Sequence, residues 1–228
     1  MRSIAERIAL SAEPVALEAD IDVPDPAVGV VLFVHGSGSS RFSPRNRFVA
    51  REMQDAGLAT VLVDLLTREE ERVDAQTAEL RFDIGLLTRR VVDLIDWIVG
   101  HEPTVGLDVG LFGASTGAAA ALVAAAERAR EVGAVVSRGG RPDLAGRALT
   151  NVRQPTLLIV GELDHMVIEL NRRALAVLPG EKRLEIVPGA SHLFEEPGAL
   201  EDVARLARDW FVRHLRSASR PWGAGSAP

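Results

Sequence analysis

Short apolar runs rich in β-branched residues recur along the chain and alternate with segments whose apolar positions fall three and four apart. Residues 28–34 form one such run, and 59–65, 109–112, 134–136 and 156–160 repeat it; 183–187 reads as a later strand, followed by Pro188-Gly189. Runs of this length without polar alternation predict strands buried on both faces, as in a parallel sheet. Residues 8–10 and 16–23 predict a leading antiparallel edge, with Pro14 in the bend. Ser43-Pro44 places a capping side chain ahead of proline at the first helical position, so a helix is expected from there to Ala56, stopping at Gly57. Across 77–99, Leu80, Ile84, Leu87, Val91, Leu94, Ile95 and Ile98 fall on one helical face. Residues 116–130 are alanine-rich, and 200–215 closes the pattern. Strands alternating with helices predict the α/β class, a mostly parallel sheet with helices on both faces. The charged run Glu69-Glu70-Glu71-Arg72 reads as a solvated loop or a first helical turn.

Composition narrows what such a domain can do. At 228 residues the chain can bury one full core, and the pattern predicts a single domain over 1–216 followed by a tail. That tail, 217–228, mixes Ser, Gly, Ala and Pro with Trp222, and is expected to be disordered. A content of 47% hydrophobic and 25% charged residues excludes a disordered chain and a coiled coil. The net charge of −6 argues against a nucleic-acid partner, and 4% aromatics without tyrosine argue against a stacking platform. The chain has no cysteine, which removes disulfides, thiolate metal sites and a cysteine nucleophile. No stretch is apolar for long enough to span a bilayer, and residues 1–10 lack the apolar core of a signal peptide. A cytoplasmic protein without membrane partners is expected.

The strongest chemical signal is Gly113-Ala114-Ser115-Thr116-Gly117, between a predicted strand and the alanine-rich helix. A serine in so tight a turn is lifted above the sheet edge, and the flanking glycines leave room where a Cβ would clash. The helix behind it presents free N–H groups and a positive dipole end. A serine hydroxyl needs a base, and the base needs an orienting acid. His192 follows the last predicted strand, and Asp164 follows the strand at 156–160. Both then lie at the carboxyl edge of the sheet with Ser115, in the order serine, acid, histidine. Glu162, two residues before Asp164, is the rival acid, and His165 reads as a decoy beside it. His35-Gly36-Ser37-Gly38 follows the strand at 28–34 and suits close backbone approach to a developing oxyanion. The expected donors are the Ser37 and Thr116 amides, with His35 a support for the loop. Phosphate binding by this loop is disfavoured, because neither the third glycine of a dinucleotide fingerprint nor a Gly-Lys-Ser/Thr sequence follows.

Taken in order, His35-Gly36-Ser37-Gly38, Gly113-x-Ser115-x-Gly117, Asp164 and His192 resemble an α/β-hydrolase, and the short chain resembles the dienelactone-hydrolase-like branch. The resemblance runs over about residues 20–216. It implies a mostly parallel eight-stranded sheet without a substantial lid, a Ser115-Asp164-His192 triad, and no metal or cofactor. Two positions depart from that pattern. Ser115 stands where dienelactone hydrolases carry cysteine, and Ser137-Arg138-Gly139-Gly140 stands where they carry an aromatic pair.

The expected activity is hydrolysis of small carboxylic esters through an acyl-enzyme, with thioesters and lactones open to the same parts. The expected partner is a small-molecule ester; the oligomeric state is not legible. Residues 138–154 are too few for a substantial lid, so an open site is expected. Arg138, just past the strand at 134–136, is the candidate substrate-binding residue, able to clamp a carboxylate. Arg41, Arg45 and Arg47 read as surface arginines or as the makers of a locally positive mouth, and Phe82 is expected in the core or on the pocket wall. A non-catalytic ligand-binding or regulatory domain on the same fold is the second reading.

Overall fold

The structure, a computed structural model, describes residues 2–10 and 15–215. Among these residues, eight strands form one sheet in the order β1-β2-β4-β3-β5-β6-β7-β8. They span β1 Arg2–Ala9, β2 Ala16–Val23, β3 Val30–Val34, β4 Ala59–Val63, β5 Val109–Ala114, β6 Val132–Arg138, β7 Thr156–Gly161 and β8 Lys182–Val187. β1 pairs antiparallel with β2, and β2 antiparallel with β4; β3 to β8 are parallel. The leading antiparallel edge is therefore longer than expected, because β1 pairs with β2 over its whole length. Pro14 and the predicted tail 217–228 lie outside the described residues.

Burial follows the sequence pattern. β3, β4, β5 and β7 are buried at every position, whereas β2 alternates, with only one face of the edge covered. Among the described residues there are six α-helices: α1 Pro44–Asp55, α2 Arg68–Thr77, α3 Ile84–Gly100, α4 Thr116–Glu127, α5 His165–Val177 and α6 Ala199–His214. Two apolar layers result. One packs α3 and α4 with Leu94, Ile95, Ala120 and Leu122 against one face of the sheet. The other packs α1 and α6 with Val49, Met53, Val203 and Phe211 against the opposite face. Among the described residues, no helix is long and apolar enough to cross a membrane.

Two helical expectations change. The helix expected over 77–99 is instead a 3-10 turn, Leu80–Phe82, followed by α3: Ala78, in the left-handed region, closes α2, and Asp83 starts α3 by accepting the Leu86 N–H. The acidic run falls in the first turn of α2, where negative charge suits the helix dipole. Thr67 and Glu70 close a capping box there, and Glu70 also takes both Nη atoms of the buried Arg90. Phe82, expected to be buried, is 55% exposed. The other change is α5, which the sequence reading passes over. A 3-10 segment, Pro142–Asn151, packs on α4 and α5, so the stretch between β6 and β7 does not rise as a lid.

Candidate active site

Ser115 sits between β5 and α4 with φ 51° and ψ −123°, a left-handed conformation costing about 1–3 kcal/mol. It occupies the N-cap position of α4, yet its side chain makes no capping bond, so the hydroxyl is not spent on the helix. The two flanking glycines are required by backbone packing. A Cβ on Gly113 would lie 2.5 Å from the Ala118 Cα, and one on Gly117 would lie 2.2 Å from the Val34 carbonyl oxygen. Strand β3, strand β5 and helix α4 thus meet at van der Waals limits around the serine.

His192 and Asp164 are joined directly: the His192 Nδ1–H donates to Asp164 Oδ2 at 2.6 Å. Asp164 is the N-cap residue of α5, but its carboxylate serves the imidazole instead of capping the helix. Glu162, the rival acid, accepts the Gly189 N–H at 2.7 Å and so braces the histidine loop from below. Glu196 braces it from the other side by accepting the Ser191 N–H at 3.0 Å, and its hydrogen bonds to Ser191 hold its carboxyl below the usual range. Gly161 lets the acid and histidine loops touch, since a Cβ there would lie 2.4 Å from the Ala190 oxygen. Phe194, buried with φ 55°, anchors the segment after His192.

The end of β6 connects the two halves of the site. The Ser115 N–H donates to the Arg138 carbonyl, and the Arg141 N–H donates to the Ser115 carbonyl. A Cβ on Gly139 would lie 3.4 Å from His192 Cε1, so the same short segment also touches the imidazole. None of the bracing residues Gly139, Glu196 and Phe194 is legible in advance; the Gly139-Gly140 pair is the only local signal of a tight approach.

His35 supports the proposed oxyanion loop. Its Nε2 accepts the Leu65 N–H at 3.0 Å, which leaves Nδ1 protonated and donating to the Gly36 carbonyl at 3.0 Å. Burial pushes its pKa below the ordinary value, with the Gly36 bond and Asp64 acting the other way. Gly36 presses on the elbow: a Cβ there would lie 2.7 Å from the Ala114 oxygen and 2.8 Å from Ser115 Cβ. The next residue, Ser37, has its N–H engaged by Thr116 Oγ1 at 3.2 Å. Thr116 is the first residue of α4, where an N–H has no acceptor within the helix. Beyond this loop opens a pocket of about 390 Å³, lined by residues 35–40 with Phe42, Leu66, Arg68, Glu71 and Leu87.

The arginines divide sharply. Arg41 pairs with Asp64 and Asp20, and Arg47 pairs with Asp20 and the Arg41 carbonyl, so neither gives the mouth a free charge. Arg45 pairs through Nη1 with Glu195, leaving a buried Nε without a partner. Arg138 has both Nε and Nη1 buried and unpartnered. Burial, and secondarily the nearby Arg45, lower its pKa to about 10. Of the remaining histidines, His165 begins α5, His101 stacks on Trp97 near Glu6, and His214 packs against Trp210 near Glu181. Among the described residues, no three His, Asp or Glu side chains are grouped as metal ligands.

Comparison with known proteins places this arrangement. Residues 16–215 match the model of the dienelactone hydrolase family. A dienelactone hydrolase structure from Anabaena variabilis is 57% identical with a TM-score of 0.91, covering 95% of this chain and all of that one. The esterase Est1E from Butyrivibrio proteoclasticus shares the fold at 14% identity and a TM-score of 0.75, covering 92% of this chain and 98% of its own. A Mycobacterium tuberculosis protein, whose name proposes a phosphoribosyl transferase, is 57% identical over 210 residues. Those residues are 92% of this chain and 46% of the relative, so the chain spans about half the length of that protein. Matched by that family model over residues 16–215 and 57% identical to a solved dienelactone hydrolase, the chain belongs to the dienelactone hydrolase family and has the α/β-hydrolase fold.

Proposed function

We propose that the chain is a serine hydrolase of small carboxylic esters, working through an acyl-enzyme on Ser115. The observation that carries this reading is the strained Ser115, its hydroxyl uncapped, on a β5–α4 turn that shares the end of β6 with the His192–Asp164 pair. Ser115 Oγ attacks the ester carbonyl while His192 Nε2 takes its proton. Asp164 holds Nδ1–H toward itself and stabilises the imidazolium. The negative oxygen of the tetrahedral intermediate is stabilised at the corner formed by Ser37 and Thr116. His192 then returns the proton to the departing alcohol. A water, deprotonated by His192, attacks the acyl carbon and releases the acid with Ser115 restored. Thioesters and lactones enter the same sequence.

Arg138 supplies the substrate preference in this reading. A buried guanidinium with two unpartnered nitrogens is costly unless an anion completes it. An ester that carries a carboxylate in its acyl or alcohol part is therefore favoured over a neutral one. The test is intact-mass analysis after treatment with a small fluorophosphonate, followed by peptide mapping. The expected result is one adduct on Ser115, lost in Ser115→Ala and strongly slowed in His192→Ala. A folded chain that takes up no phosphonate overturns the reading in favour of a ligand-binding domain.

A further inference from the structure

An oxyanion hole built from the Ser37 and Thr116 amides has one donor already occupied. The Ser37 N–H donates to Thr116 Oγ1 at 3.2 Å, and an amide carries a single proton. Nothing in the surroundings lets that bond break easily. Gly36 is packed against the Ala114 oxygen and Ser115 Cβ with no room for a methyl group. His35, one residue earlier, is tied at both ring nitrogens to Gly36 and Leu65. The loop that carries the Ser37 amide is therefore held against the elbow. Thr116 is 3% exposed, so a substrate oxygen that captured the Ser37 proton would strip a buried hydroxyl of its donor.

A threonine hydroxyl accepts through its lone pairs and still has its own proton to give. We infer that the Thr116 hydroxyl is itself a catalytic donor to the oxyanion, polarised by the Ser37 amide, which acts through it and not directly. Thr116 then supplies two hydrogen bonds to the developing charge, one from the amide at the first turn of α4 and one from its side chain. Donation from the Ser37 N–H into Oγ1 strengthens the hydroxyl as a donor, as chained hydrogen bonds do. The donors stand ready before substrate arrives, as transition-state stabilisation by fixed dipoles requires. This inference rests on the serine-hydrolase reading above and changes which atoms do the work at the oxyanion.

The test compares Thr116→Val, which keeps the shape and loses the hydroxyl, with Thr116→Ser, which keeps the hydroxyl. The readouts are kcat and KM on an aryl acetate, the rate of Ser115 phosphonylation and the melting temperature. Thr116→Val is expected to lower kcat by about 10²-fold, the usual loss on removing one oxyanion donor, with KM changed less than about threefold. Phosphonylation should slow in parallel, and Thr116→Ser should stay within about tenfold of the parent. Thr116→Ala is a second variant should the valine fail to fold. An active parent whose folded Thr116→Val or Thr116→Ala variant is equally fast or faster overturns the inference and returns the donor role to the Ser37 amide. A parent that neither hydrolyses the ester nor takes up phosphonate overturns the hydrolase reading itself, and the inference falls with it.

Discussion

Asp164 Oδ2 accepts the His192 Nδ1–H at 2.6 Å, although Asp164 occupies a position where its side chain would ordinarily cap helix α5. The carboxylate has given up a capping bond worth about 1 kcal/mol for a charge-assisted bond to the imidazole. Glu162, only two residues away, holds backbone at Gly189. The two acids are therefore not interchangeable, and their variants should separate. Asp164→Asn is expected to lower kcat by about 10⁴-fold, because an amide no longer fixes the reactive tautomer. Glu162→Gln keeps an oxygen acceptor for the Gly189 N–H and should change kcat less than about threefold. Steady-state kinetics on both folded variants decides, and equal losses would show that neither acid is specific to the histidine.

Gly36 gives a test of the contact between the loop after β3 and the Ser115 turn. Gly36→Ala would place a methyl 2.7 Å from a carbonyl oxygen and 2.8 Å from Ser115 Cβ. Relief of such overpacking costs about 1–3 kcal/mol, and the movement displaces Ser115. The expected outcome is a folded protein with a modestly lower melting temperature and a kcat reduced at least about 10²-fold. Unchanged kinetics would mean that loop and elbow move independently.

Arg138 links stability to ligand charge. Arg138→Met removes a buried cation that has no acidic partner among the described residues, so the variant should melt higher, by about 1–3 kcal/mol in stability. The parent should discriminate in favour of an ester bearing a carboxylate over its neutral methyl ester, and the methionine variant should lose that preference. Small carboxylates should raise the melting temperature of the parent and not of Arg138→Met. A variant that melts lower and keeps the preference would assign the guanidinium a structural role.

His35 sets an acid limit on the fold. Its folded pKa lies below the ordinary 6.5, so the unfolded chain takes up the proton first as pH falls. Its contribution to stability is complete above about pH 6.5 and is lost as pH falls from there toward the lower folded value. The same direction holds for His214, whose pKa is lowered mainly by burial against Glu181 and Arg213 acting in opposite senses. Melting temperature should therefore decline between pH 7.5 and 5.5. His35→Gln, which can still accept the Leu65 N–H, should flatten that slope. An unchanged slope would place the titration elsewhere.

Much of this architecture was legible because it is written in local patterns. Runs of apolar residues at 28–34 and 156–160 leave no polar face, so they had to be central strands, and Ser43-Pro44 marks a helix start by side-chain chemistry alone. Gly113 and Gly117 around Ser115 are readable for the same reason, since a turn that tight excludes a Cβ whatever surrounds it. Other features depend on neighbours that are distant in sequence. Helix α5 was hidden because Asp164 looks like an acid and not a cap, and it turns out to stand at both positions. The β7–β8 register, Gly161 opposite Val187, decides which acid meets His192 and which meets Gly189. Packing also decides that Arg41 and Arg47 are neutralised by Asp20 and Asp64 while Arg138 is not. Residue order along the chain therefore determined the strands, the elbow and the succession of serine, acid and histidine. Only the tertiary structure chose the partner of each donor and charge, because hydrogen bonds and ion pairs are satisfied in space, by whichever group the packed backbone brings within about 3 Å.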